Sequence, residues 1–251
     1  MNDNYGFAIS DNSRIQKAEK IISSLEYSMN QKLQNKKILE VGAGSGLISY
    51  ALSNNENHVI AIDVQDSVFK ETLTKRNILQ KEYVPFLLAD GTQLPFVSKS
   101  FDVVICNQMI EHISKKRHEQ LLEEFYRVLK VKGLLYLSTG NKLWPIEPHA
   151  HLPFLSFLPH RFADRYIKKY RGLDTYNVQL LTYMKLKSLL SMRFQEVIDL
   201  TSIMAKDPNK FHINELNHLL NKMISKVPTI FLRLSVPLFP GWIMIAKKTE
   251  E

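Results

Sequence analysis

Three groups of residues in this chain have types and spacings suited to chemistry. The first is a glycine turn. Gly42, Gly44 and Gly46 alternate with Ala43 and Ser45 directly after the apolar run Ile38, Leu39 and Val41. Glycine is needed where the backbone takes positive φ or where a ligand lies against the main chain. Leu47, Ile48, Ala51 and Leu52 then recur at helical spacing. A strand feeding a helix through such a turn aims backbone N–H groups and the positive helix end at a ligand. The second group is acidic. Asp63 closes the next apolar run, VIAIDV, about 20 residues past the glycines, where a carboxylate can accept both hydroxyls of a ribose. Turn and acid together suit a nucleoside cofactor. A phosphate-binding loop is excluded, because no Gly-Lys-Ser/Thr follows. The dinucleotide spacing G-x-G-x-x-G would need a glycine at Leu47.

The third group could move protons. His149 and His151 stand two apart among prolines, with Glu147 ahead of them, and His112 follows Glu111 just beyond the apolar run FDVVIC. Histidine can take a proton from a phenol or hydroxyl near neutral pH. The other reading of His149 and His151 is a loop held by its own hydrogen bonds; that of His112 is the start of a helix. No set of three or four ligands has metal-site spacing.

These groups need elements to position them. Ser13 to Leu33 reads as an amphipathic helix with Ile15, Ala18, Ile22, Leu25, Met29 and Leu33 on one face, capped by Asn12 or Ser13. Strands are expected at Ile38–Val41, Val59–Val64, Val84–Asp90, Phe101–Cys106 and Leu134–Ser138, with helices at Asp66–Lys81 and Lys115–Lys130. Such alternation implies a parallel sheet with helices on both faces, an α/β fold. Further helices are expected at Arg161–Arg171, Leu181–Met192 (capped by Thr182) and Lys206–Lys226, and strands near Phe194–Leu200 and Trp242–Ala246.

The 251 residues, 45% apolar, allow one large domain with a sizeable core. The net charge of +8 would suit an anionic partner, but the Lys and Arg residues are spread along the chain, as in a basic enzyme. Cys106 stands alone, so no internal disulfide is possible, in keeping with a reducing compartment. No signal peptide and no membrane-spanning run are read, and the expected location is cytoplasmic.

Taken together, LEVGAGSG, VIAID, LLADGTQLPF, FDVVICNQMIEHI and RVLKVKGLLYLST resemble the core of class I S-adenosylmethionine (SAM) methyltransferases. The similarity covers about Lys36 to Thr139 and is greatest to the type 11, small-molecule group that includes quinone-biosynthesis enzymes. It implies a Rossmann-like, mostly parallel seven-stranded sheet, the last strand antiparallel between the fifth and sixth. It implies SAM as cofactor. Glu40, Gly42, Ala43, Gly44 and Gly46 would line its methionine and ribose side. Asp63, with Val64, would take the ribose, Asp90 with Gly91 and Thr92 the adenine, and Asn107 the strand-four side. Without a partner motif, Asp90 before Gly91 would read as an ordinary turn aspartate.

In this reading residues 1–251 form one domain: a core over about 36–140, a cap over 141–171 and two last strands over 194–248. The segment Leu143 to His160 is the expected acceptor lid, with His149 and His151, and less so His112, as acid/base candidates. The acceptor is expected to be a small or lipid-like molecule. Val227 to Pro240, a proline-broken apolar stretch carrying one charge, is expected beside its entrance. That stretch either packs between the last two strands or touches a membrane surface. Competing readings are a nicotinamide oxidoreductase and a methyltransferase-like module without catalysis. A nucleic-acid enzyme is disfavoured, because Asn107-Gln108-Met109-Ile110 lacks a Pro-Pro-Tyr/Phe element.

Overall fold

The computed structural model describes residues 11–54, 56–65, 84–213, 224 and 226–250. The helix expected at Asp66–Lys81, and most of that expected at Lys206–Lys226, lie outside them. The seven strands are β1 Lys37–Val41, β2 His58–Asp63, β3 Phe86–Leu88, β4 Phe101–Asn107, β5 Leu129–Gly140, β6 Glu196–Asp199 and β7 Gly241–Lys247. They form one sheet in the order β3-β2-β1-β4-β5-β7-β6. β7 runs antiparallel to both β5 and β6, as the family resemblance implied.

Alternation along β4 shows how the sheet is buried. Val103 and Ile105 join one apolar cluster, Val104 and Cys106 the other. The first cluster lies under α1 Asp11–Met29 and α2 Leu47–Leu52. The second lies under α3 His118–Val128 and α5 Tyr183–Ser191. A strand buried on both faces reads as a continuous apolar run, as FDVVIC does. Each such side chain contributes about 1.5–3 kcal/mol.

α1 is rotated relative to its expected face. Ala18, Ile21 and Leu25 are fully buried, whereas Ile15 is 46% exposed. The face Arg14–Ala18–Ile21–Leu25 turns inward, so the first turn brings a cation to the sheet's carboxyl end. The helix stops at Met29 rather than Leu33 because Asn30 takes a left-handed φ of 52°. Thr182 caps α5 as expected, its hydroxyl accepting from Lys185 N at 3.4 Å, but the helix starts after the cap, at Tyr183. A helix does not begin at Lys206: α6 Thr201–Lys206 ends there. Pro208, which has no N–H, heads a 3-10 turn over Asn209–Phe211.

After β5 the chain builds a cap with its own small core. Ala150, Leu152, Leu155, Ala163, Ile167 and Tyr176 pack together, tying the segment before α4 His160–Arg171 to the stretch after it. The side-chain amide of Asn141, the first residue past β5, donates to Pro237 O and Phe239 O at 2.9 and 2.8 Å. The cap and the apolar stretch before β7 are thus joined at the carboxyl end of β5. That stretch folds as α7 Thr229–Ser235 and a 3-10 turn at Val236–Leu238.

Candidate functional site

Gly42, Gly44 and Gly46 have φ of 76°, 56° and 71°, all left-handed. Only glycine takes three such turns without strain. At Gly42 a second constraint comes from within the chain, since a Cβ there would stand 2.4 Å from Met109 Cγ. Gly91 is small for a similar reason, because its Cβ would meet Val41 Cγ1 at 2.8 Å. Gly44 N donates to Asp63 Oδ2 at 3.0 Å, and Gln65 N to Oδ1 at 3.1 Å. Gly42 N and Ala43 N both donate to Ile62 O. The glycine turn and the acid closing β2 are therefore one hydrogen-bonded structure, with exposed Val64 at its edge.

Glu40 is buried beneath this turn and accepts from the Ser49 hydroxyl. Burial pushes its carboxyl up to about 8, against the opposing pull of that hydroxyl and of Arg14. Arg14 reaches the turn from α1: its Nη1 would be 3.5 Å from a Cβ on Gly44. Arg14 Nε and Ser45 Oγ are both buried without a hydrogen-bond partner. Buried polar atoms of that kind call for an explanation, and a polar ligand is one. Arg14 was not legible in the sequence as a site residue. The available signal was a cation in the helix leading to the glycine strand.

Asp90 follows β3. Its Oδ1 accepts from Thr92 N and Oγ1 at 2.9 and 2.8 Å, and its Oδ2 from Arg117 at 2.8 Å. Burial would raise the Asp90 carboxyl, but these donors outweigh it and hold the group below the usual range. A carboxylate has about four lone-pair sites, so room for a further donor remains. Asn107, at the end of β4, accepts from Ser138 Oγ at 2.7 Å through its Oδ1.

Beyond β4, Glu111 is wholly buried. Its Oε2 accepts from Thr139 Oγ1 at 2.9 Å, and its Oε1 from His149 Nε2 at 3.2 Å. A carboxylate can only accept here, so Nε2 carries the proton and Nδ1 is the basic nitrogen. Burial disfavours the charged imidazole, but Glu111 outweighs it and raises His149 above its ordinary value. In turn, burial would raise Glu111, and the His149 hydrogen bond and charge bring it down. The His112 ring stands edge-on to His149 at 5.1 Å. Buried Glu147 holds the cap turn, accepting from the backbone N–H groups of His149 and Ala150. His151 is exposed, with a left-handed φ of 52°. The structure therefore brings His149 and His112 together and leaves His151 outside. In the sequence Glu111 stands out only as His112's neighbour, and its pairing with His149 has no local signal.

Comparison with known proteins shows the family. A family model described as a methyltransferase domain matches residues 39–137. The ubiquinone biosynthesis O-methyltransferase of Rickettsia typhi is 30% identical over 178 residues, covering 68% of this chain and 67% of that protein. The demethylmenaquinone methyltransferase of Clavibacter sepedonicus is 33% identical over 101 residues, 40% of each chain. Relatives such as the ubiquinone biosynthesis O-methyltransferase of Rickettsia akari are matched over 48% of their length or less. Among solved structures, a SAM-dependent methyltransferase from Methanosarcina mazei superposes with a TM-score of 0.59 at 21% identity, covering 90% of this chain and 98% of that one. The chain belongs to the class I SAM-dependent methyltransferase family.

Proposed function

We propose that this chain binds SAM and transfers its methyl group to a small, apolar or lipid-like acceptor, with His149 as the base. The observation that carries the reading is the Glu111–His149 pair, set at the same end of the sheet as the glycine turn. When bound, SAM supplies a methyl carbon already activated by its sulfonium. The chain's part is to hold and orient. The left-handed glycines keep side chains out of the turn, and Asp63 offers its remaining lone pairs to the ribose. Asp90 offers the same to the adenine amino group, with Gly91 and Asn107 beside the pocket. Arg14, with its unpaired Nε, suits the carboxylate of the methionine part. The unpartnered Arg14 and Ser45 atoms make the fit with a polar ligand specific. His149 Nδ1 takes the proton of a hydroxyl acceptor while Glu111 keeps the ring oriented. His112, edge-on to that ring, shields it, and His151 serves the lid surface.

The acceptor's apolar character is supported by the rim of the cap and by α7. Phe154, Phe157 and Phe162 are exposed on the cap, and Ile230, Phe231 and Leu234 on α7. α4 carries five Lys or Arg residues against one Asp. Basic and apolar side chains together suit a weak contact with an anionic membrane surface. None of the described helices is long and apolar enough to cross a membrane.

Calorimetry tests the cofactor. S-adenosylhomocysteine (SAH) should bind and NADH should not. Asp63→Ala should weaken binding by about 1–3 kcal/mol, the usual cost of leaving donors without an acceptor. Tight NADH binding with no SAH signal overturns the reading.

A further inference from the structure

A cleft of about 310 Å³ opens between the cap and the turn that follows β4. Lys115, Lys142 and His160 stand around it, and Tyr176, Val178 and Leu180 form its apolar floor. Among the described residues no carboxylate lines it. Ser156 also lines it, and its hydroxyl is buried without a hydrogen-bond partner. Two lysines, a histidine and an unused hydroxyl donor facing a space with no acid is an arrangement that favours an anion. At the lip stands Leu158, 38% exposed, next in sequence to the exposed ring of Phe157. Phe157 in turn lies 6.2 Å from the ring of Phe154.

The cleft is joined to the Glu111–His149 pair through Gln179. Gln179 lines it, while its backbone N–H donates to Glu111 O at 2.7 Å. The Gln179 side-chain oxygen accepts from Lys115 N at 3.2 Å. Tyr176, on the floor, donates through its hydroxyl to Glu147 Oε1 at 3.5 Å.

We infer that this cleft holds the anionic head group of an amphiphile, whose apolar part runs out over Leu158 and the exposed phenylalanines. Lys115 and Lys142 supply the charge, and Ser156 supplies a hydrogen bond at the base. The further statement that this amphiphile is the methyl acceptor rests on the function proposed above. The anion site does not.

The test uses the full chain and three soluble probes, each below its aggregation point. Dihexanoylphosphatidic acid is the anionic amphiphile, inorganic phosphate the free anion, and dihexanoylphosphatidylcholine the zwitterionic amphiphile. Calorimetry should show phosphatidic acid binding at least tenfold tighter than either of the others. The double variant Lys115→Gln, Lys142→Gln should weaken it at least tenfold, with SAH binding and the melting temperature unchanged. Leu158→Glu, which sets a carboxylate at the lip, should abolish it independently. Equal binding of phosphatidylcholine makes the cleft merely apolar and overturns the inference. Equal binding of phosphate makes it a free-anion site and also overturns it. Undiminished binding by both variants places the lipid elsewhere. Loss of SAH binding in the wild type, with phosphatidic acid binding intact, breaks the proposed function and leaves the cleft standing.

Discussion

Glu111 Oε1 lies 3.2 Å from His149 Nε2, although 38 residues separate the two in the chain. The strand-four end supplies the acid, the cap supplies the imidazole, and Thr139 on β5 holds the other carboxylate oxygen. If His149 is the base, His149→Ala should lower kcat by about 10²–10⁴-fold, while SAH affinity stays near wild type. Normal turnover of the true acceptor by this variant rules the role out.

The same pair sets a pH dependence. Glu111 raises His149 above its ordinary 6.5, so the basic form appears only at higher pH. Glu111→Gln removes that support and leaves the burial that disfavours the imidazolium. The rising limb of the kcat profile should therefore move to lower pH. A limb that stays in place in Glu111→Gln shows that a different group titrates.

Glu40 predicts a trend in stability. In the folded chain its carboxyl keeps its proton from the ordinary 4.5 up to about 8, whereas the unfolded chain loses it near 4.5. The folded state binds the extra proton across that window, so stability falls as pH rises through it. Glu40→Gln, which cannot ionise, should melt higher than wild type at pH 8, and the gap should narrow towards pH 5. About 2–4 °C per kcal/mol is the scale for a chain of this size. A constant difference at both pH values would remove the proton linkage.

Asp90 and Arg117 make a partly exposed pair. Such pairs contribute about 0–1 kcal/mol. If Asp90 receives the adenine amino group, Asp90→Ala should weaken SAH by about 1–3 kcal/mol, and Arg117→Ala by less than about 1 kcal/mol. Equal losses in both variants would mean that the ion pair, rather than the carboxylate, shapes the pocket.

The outward face of α7 offers a membrane test. Leu232 is buried, so only Ile230, Phe231 and Leu234 are available to a bilayer. Wild type should float with anionic vesicles, and less with neutral ones. The double variant Phe231→Ser, Leu234→Ser should stay in the dense fraction. Failure of the wild type to float with anionic vesicles ends the proposal.

The sheet and the glycine turn were legible because their causes are local. Left-handed φ at Gly42, Gly44 and Gly46 follows from their own lack of a Cβ. The doubly buried runs of β1 and β4 follow from continuous apolar residues. Asp63 was legible by its distance from the glycines. That it would also hold the turn, through Gly44 N, was not. The rotation of α1 departs from its apolar pattern because its first turn covers a polar crevice rather than apolar core, so Arg14 and not Ile15 faces inward.

By itself the sequence determined the order of elements and the glycine–acid pairing of motifs, which rest on conformational limits and periodicities among near neighbours. The antiparallel last strand came only with the family resemblance that those motifs carry. Tertiary structure alone decided which histidine meets a carboxylate, which cation stands over the glycine turn, and that a basic cleft opens beneath the cap. Each of those depends on bringing together residues tens of positions apart. Helix rotation, where one residue's shift turns a side chain by about 100°, and the folding of a proline-rich cap set such meetings, and no local pattern encodes either.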